Sequence, residues 1–172
     1  MRYPWWSLLI GFGLTVGLGS PSLGAEQIVL RYSILQESIP VQDLSQLSRS
    51  GEVSPRLAGY LALAKKQPED LRHWLNQSVQ ASPELLSQVL NGFLGQYLLG
   101  QISEVFHTPS QKASPEALRG ALITSAVNDN QVQVIEILEN YPTQELYVNG
   151  DRLMELYQQF KSMEASLSKL PF

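Results

Sequence analysis

Apolar and polar residues first alternate between Gln27 and Ser33, where Ile28, Leu30 and Tyr32 share one side and Gln27, Val29, Arg31 and Ser33 the other. A period of two with β-branched and aromatic enrichment predicts a strand with one core face. Ser38 to Val41 predicts a second, shorter strand. Pro40 has no N–H to offer a ladder, which puts that strand at an edge, with Ile34-Leu35-Gln36-Glu37 near the turn of the resulting hairpin.

Beyond this hairpin the period lengthens to that of helices. Asp43 opens a brief one carrying Leu44 and Leu47, and Gly51 closes it. Ser54-Pro55, Ser82-Pro83 and Ser114-Pro115 each offer a hydroxyl for the N-cap and a proline for the first helical position, where a missing N–H costs nothing. Their unequal spacing and different flanks argue for reused capping chemistry rather than a solenoid. The helices that follow carry Leu57, Tyr60, Leu61 and Ala64; Leu85, Leu86, Val89 and Leu90; and Leu118, Ala121, Leu122 and Ser125 as apolar stripes. Pro68 opens another, with Leu71, Trp74, Leu75 and Val79 expected inward. Phe93, Leu94, Tyr97, Leu98, Ile102, Val105 and Phe106 form the strongest apolar face, which predicts the central buried helix.

Val132 to Leu138 suits a strand or a helix, and Glu136 and Glu139 on one side tip the reading to a helix that ends before Pro142. Glu145 to Val148 predicts a third strand. Asn149-Gly150-Asp151 then turns into a last helix with Leu153, Leu156, Tyr157, Phe160 and Met163 on one face. The expected fold is α+β and mostly α: six to eight short helices with a small two- or three-stranded sheet joining the N-terminal hairpin to the strand near 145–148.

Composition adds an address. A chain of 172 residues, 44% hydrophobic and 16% charged, suits one globular domain with a real core. Residues 1–24 have the layout of a secretory signal peptide: Arg2, an apolar run from Leu8 to Leu18, then Gly19-Ser20-Pro21-Ser22-Leu23-Gly24. Cleavage is expected before Ala25, or after it as the near alternative, leaving residues 25–172 as the mature domain. The apolar run is well short of the roughly 20 residues of a spanning helix, so no transmembrane helix is expected in the mature chain. With no cysteine, the fold has no disulfide framework. The mature chain is acidic, with a formal charge of about −5 once Arg2 is removed. Nucleic acid is therefore not an expected partner, and the one adjacent basic pair, Lys65-Lys66, reads as a charge bias at a helix C-terminus.

Ala25-Glu26-Gln27-Ile28-Val29-Leu30-Arg31-Tyr32, Ile39-Pro40-Val41-Gln42-Asp43-Leu44, Gly51-Glu52-Val53-Ser54-Pro55 and Tyr141-Pro142-Thr143 follow one another in an order and spacing that resembles the cyanobacterial domain of unknown function found at the N-terminus of secreted α/β-hydrolases. The resemblance spans nearly all of the mature chain, here standing alone without the hydrolase half. It implies export in a cyanobacterium-like cell and association with hydrolases.

A serine hydrolase of that kind needs a Gly-x-Ser-x-Gly elbow with a distant carboxylate and histidine. The chain has no such elbow; the nearest fragment, Gly19-Ser20-Pro21, lies in the signal. His73 lies on a helix and His107 at a helix end, and neither has the short ligand spacing of a zinc site. Both read as structural or solvated. Glu136 and Glu139 could do acid–base work as a pair, but a solvated face explains them. Gly92, Gly95 and Gly100 follow no strand and precede no suitable lysine, so they cradle no phosphate; Gly95 and Gly100 read as points of close helix packing. The expectation is an exported accessory or interaction module with no catalytic, metal or cofactor residue, whose partner is an α/β-hydrolase on another chain. The alternatives are a retained esterase-like activity, and an apolar-ligand or lipid-binding groove between helices.

Overall fold

A computed structural model describes residues 24–155. Residues 1–23 of the expected signal segment 1–24, and the part of the last helix from Leu156 onward, lie outside the described residues. Six strands and eight helices follow in order within them. β1 (Gln27–Tyr32) and β2 (Leu35–Pro40) come first, then α1 (Val41–Ser50), α2 (Pro55–Leu63), α3 (Pro68–Leu75) and β3 (Ser78–Gln80). Next are α4 (Pro83–Asn91), α5 (Phe93–Ser103), β4 (Phe106–His107), α6 (Ser114–Ser125), β5 (Gln131–Gln133), α7 (Val134–Glu139) and β6 (Glu145–Asn149). A final helix, α8, begins at 150 and continues to the last described residue. The fold is α+β, mostly α.

The main sheet has the order β2-β1-β6-β4. β1 pairs antiparallel with β2 and parallel with β6, with Ile28 beside Leu146 and Leu30 beside Val148. The expected union of the hairpin with the strand near 145–148 is therefore present. The sheet is one strand wider than expected, because β4 adds antiparallel to β6. A separate two-stranded sheet pairs β3 with β5.

β2 starts three residues earlier than expected, and the turn falls at Ser33-Ile34, where Ser33 takes a φ of 54°. The single core face of β1 also needs correction. Val29 is as buried as Ile28, whereas Tyr32 is half exposed. β1 is an interior strand, so Val29 is flanked by Ser38 and Tyr147 on the second face of the sheet.

The caps are obeyed twice out of three. Ser54 and Ser82 each accept a bond from the backbone N–H three residues on, at 3.2 Å. The third pair is shifted by one: Ala113 at φ 53° is the N-cap of α6, and Ser114 is already inside the helix. Its hydroxyl accepts the Thr108 N–H at 3.1 Å. Gly51 closes α1 as expected, at φ 77°, donating its N–H to Leu47. Asp43 lies in the first turn of α1 rather than before it, and its carboxylate accepts the Ser54 hydroxyl at 2.6 Å. α3 stops at Leu75, so Val79 is exposed on β3 and Trp74 is half exposed, against the expectation for both. The ambiguous Val132 to Leu138 divides between its two readings, strand through Gln133 and helix from Val134.

The core gathers Leu47, Leu57, Leu75, Leu99, Val105, Tyr141 and Leu146, all essentially without solvent contact. At Gly24, the last residue of the expected signal, a Cβ would lie 1.7 Å from the Glu139 carbonyl oxygen, a close approach that belongs to the uncleaved chain. Among the described residues, no helix is long and apolar enough to cross a membrane.

Candidate functional site

His107 is not at a helix end. α5 stops at Ser103, Val105 is buried, and the chain re-enters the sheet as β4, with Asn149 N–H donating to the Val105 carbonyl at 2.8 Å. This pairing sets His107 beside Tyr147 of β6. Their rings stack with centroids 5.6 Å apart and 21° between planes. From β1, on the other side of β6, the Arg31 guanidinium lies 4.6 Å from the centre of the same Tyr147 ring. The imidazole is buried, and its Nδ1 is 2.9 Å from the Thr108 carbonyl oxygen. A carbonyl only accepts, so Nδ1 carries the proton of this bond.

This imidazole borders an open polar cleft of about 400 Å³, with Ser103, Glu104, Ser114, Asn149 and Arg152 among its walls. The Ser103 hydroxyl is buried without a partner. Arg152 spans the rim, 3.5 Å from Glu104 and 2.8 Å from Glu155. A serine nucleophile activated by histidine would need a third group that orients the imidazole, ordinarily a carboxylate on Nδ1. Here that position is taken by a main-chain carbonyl within the same turn. This bond and the stack on Tyr147 fix the orientation of the ring against the sheet.

His73 is exposed in the last turn of α3, in a different element. Among the described residues, no group of three or more His, Asp or Glu side chains could hold a metal ion. Glu136 and Glu139 do not act as a pair. Glu136 accepts the Gln133 N–H at 3.2 Å in the capping box of α7, whereas one Glu139 oxygen accepts both the Ser45 hydroxyl and Arg49 at 2.6 Å. Both carboxylates are occupied in holding α7, the second by tying it to α1. Lys65-Lys66 lies past the end of α2, with Lys65 at φ 53°.

The largest departure concerns α5. The expected central helix lies on the surface: Phe93 is 91% exposed and Leu94 67%, with Tyr97 and Leu98 also open. The residues that α5 buries are Gly95, Leu99 and Ser103, a stripe at steps of four. At Gly95 a Cβ would stand 2.2 Å from the Val89 carbonyl oxygen, so α4 and α5 meet through bare backbone. Gly100 has no neighbour within 4 Å of its Cβ position and marks no close packing. Docked by its small-residue side, α5 turns its large side chains outward. Leu85 and Val89 of α4 are exposed as well, so the two helices present a joint apolar face. Exposed apolar residues that gather into one patch mark interaction sites.

A family model described as alpha/beta hydrolase of unknown function (DUF1400) matches residues 24–149. No curated protein and no solved structure matches the chain.

Proposed function

The chain belongs to the family described as alpha/beta hydrolase of unknown function (DUF1400), and from that premise we propose that this domain is an exported, non-catalytic module that docks on an α/β-hydrolase carried by another chain. The observation that carries the reading is the open apolar face of α4 and α5, with Phe93 at its most exposed point. Fully burying a side chain such as Phe93 or Leu94 is worth roughly 1.5–3 kcal/mol, so a few of them supply the centre of a stable interface. The class of partner is taken from the resemblance of residues 25–55 and 141–143 to a domain that precedes secreted α/β-hydrolases. The non-catalytic part of the reading is supported by the lack of a Gly-x-Ser-x-Gly elbow in the sequence. Export is supported by Arg2, the Leu8 to Leu18 run and the small residues before Ala25.

The test is a photo-reactive benzophenone side chain placed at residue 93 in the native host. The expected product is a cross-link to a protein that carries a Gly-x-Ser-x-Gly elbow, lost when Leu94 and Leu98 are changed to Ser. Cross-links only to unrelated proteins would overturn the docking reading. Covalent labelling of the purified chain by a fluorophosphonate would overturn the non-catalytic one.

A further inference from the structure

The segment that opens the mature chain is clamped into the fold. Ala25 is buried and belongs to the hydrophobic core. The Glu26 and Gln27 N–H groups both donate to the Gln144 carbonyl, at 2.8 and 3.1 Å, while the Glu26 carbonyl accepts the Val41 N–H at 2.9 Å. The nitrogen of Ala25 therefore has a fixed place. Immediately before it, Gly24 lies against the carbonyl oxygen of Glu139, the last residue of α7. Carbonyls in the last turn of a helix have no partner within that helix.

An open cleft of about 430 Å³ borders this position, with Ala25, Glu26 and Glu139 in its wall. The two charged residues that line it are both carboxylates. Glu139 takes the Ser45 hydroxyl and Arg49 on one oxygen, Oε1, each at 2.6 Å. An ionised carboxylate has two oxygens with about four acceptor positions, so Glu139 has capacity for a further donor.

Cleavage before Ala25, part of the export proposed above, hydrolyses the Gly24–Ala25 amide. The carbon–nitrogen bond breaks, water supplies the second oxygen of a Gly24 carboxylate that leaves with the signal, and the nitrogen stays on Ala25 as an α-ammonium. Resting on that reading, we propose that this ammonium is a structural cation of the mature protein, bound in the place left by Gly24 between the Glu139 carboxylate and the last carbonyl of α7. An ammonium drawn out of water has to be paired. Here the surroundings offer acceptors and negative charge, while the bonds of Glu26 and Gln27 keep the nitrogen from swinging outward. The charged groups around it are Glu26 on its own segment, Glu139 of α7 and, paired with Glu139, Arg49 of α1. Signal removal thus creates an ionic contact between the start of the chain and α7 that the precursor lacks.

The test uses the exported chain purified from its host, with its first residue fixed by intact mass. Pyridoxal 5′-phosphate converts an N-terminal α-amine to a ketone, leaves lysines as amines and attacks only the uncharged amine. The Ala25 amine of the folded chain should react about tenfold more slowly than that of a peptide of residues 25–34 at the same pH, because a nearby opposite charge keeps an amine protonated by that order. Glu139→Gln should raise the rate several-fold, whereas Arg49→Gln, which removes the neighbouring cation and leaves the carboxylate, should keep it slow. Protein transaminated in urea and refolded should melt at a lower temperature than unmodified protein treated alike, with a smaller difference in Glu139→Gln. A folded chain that reacts as fast as the peptide, or equal rates in wild type and Glu139→Gln, would overturn the ammonium site. So would an unchanged melting temperature of the transaminated wild type, a comparison that stands even where Glu139→Gln does not fold. A mature chain beginning at Glu26 would overturn the site and leave export standing; a chain that keeps its signal would overturn both. None of these outcomes bears on the cross-link at residue 93, which tests docking alone.

Discussion

Gly95 and Gly100 are five residues apart on one helix and look alike in sequence, yet their surroundings are opposite. A Cβ at 95 would meet the Val89 carbonyl oxygen at 2.2 Å and the Leu90 Cα at 2.6 Å, both backbone atoms of α4 that cannot swing aside. At Gly100 the space is empty. Gly95→Ala should therefore lower stability by roughly 1–3 kcal/mol, as overpacking does. Gly100→Ala should raise it by roughly 0.5–1 kcal/mol through helix propensity alone. Urea unfolding midpoints of the two variants check the pair, and equal effects would contradict the close approach of α4 to α5. Both glycines stood out in the sequence as points of close packing, but that reading was right for only one. Nothing in the order of residues says which side of α5 meets a neighbour.

The same limit holds for whole elements. Three Ser-Pro pairs promise three identical caps, and two are built that way. At the third, Thr108 N–H takes the Ser114 hydroxyl, which draws the serine into the helix and leaves Ala113 at the left-handed N-cap. Ser82→Ala should cost about 1 kcal/mol, the usual worth of an exposed cap. Ser114→Ala should cost more, roughly 1–3 kcal/mol, because it leaves a buried N–H without an acceptor. Chemical denaturation of both variants checks the order. The inversion of α5 follows similar logic. Its apolar residues recur at helical steps, which predicts a core helix, but Gly95, Leu99 and Ser103 allow a closer approach than Phe93 or Tyr97 could. Close backbone contact decided the docking side, and the large side chains were left outward.

At the scale of the whole molecule, Tyr141 is the largest side chain sealed from solvent among the described residues, and its hydroxyl is raised to about 12 by burial. Below about pH 10 the group is protonated in the folded and unfolded chains alike. Between about 10 and 12 the unfolded chain ionises while the folded one holds its proton, so stability should fall across that window by roughly 2–3 kcal/mol. Tyr141→Phe should remove most of this slope in unfolding curves taken on either side of pH 10; an unchanged slope would show that the hydroxyl is not sealed. The sequence by itself determined the class of fold, most helices, the Gly51 stop, two serine caps and the union of the hairpin with the strand after Pro142. Each of these rests on neighbouring residues or on a period that one segment carries alone. Tertiary structure decided the rest: the two-residue β4, the β3–β5 pair, the second buried face of β1, the burial of His107 and the outward turn of α5. Strands of two or three residues have too short a pattern to register, and which face of a helix is buried depends on the shape of what it meets.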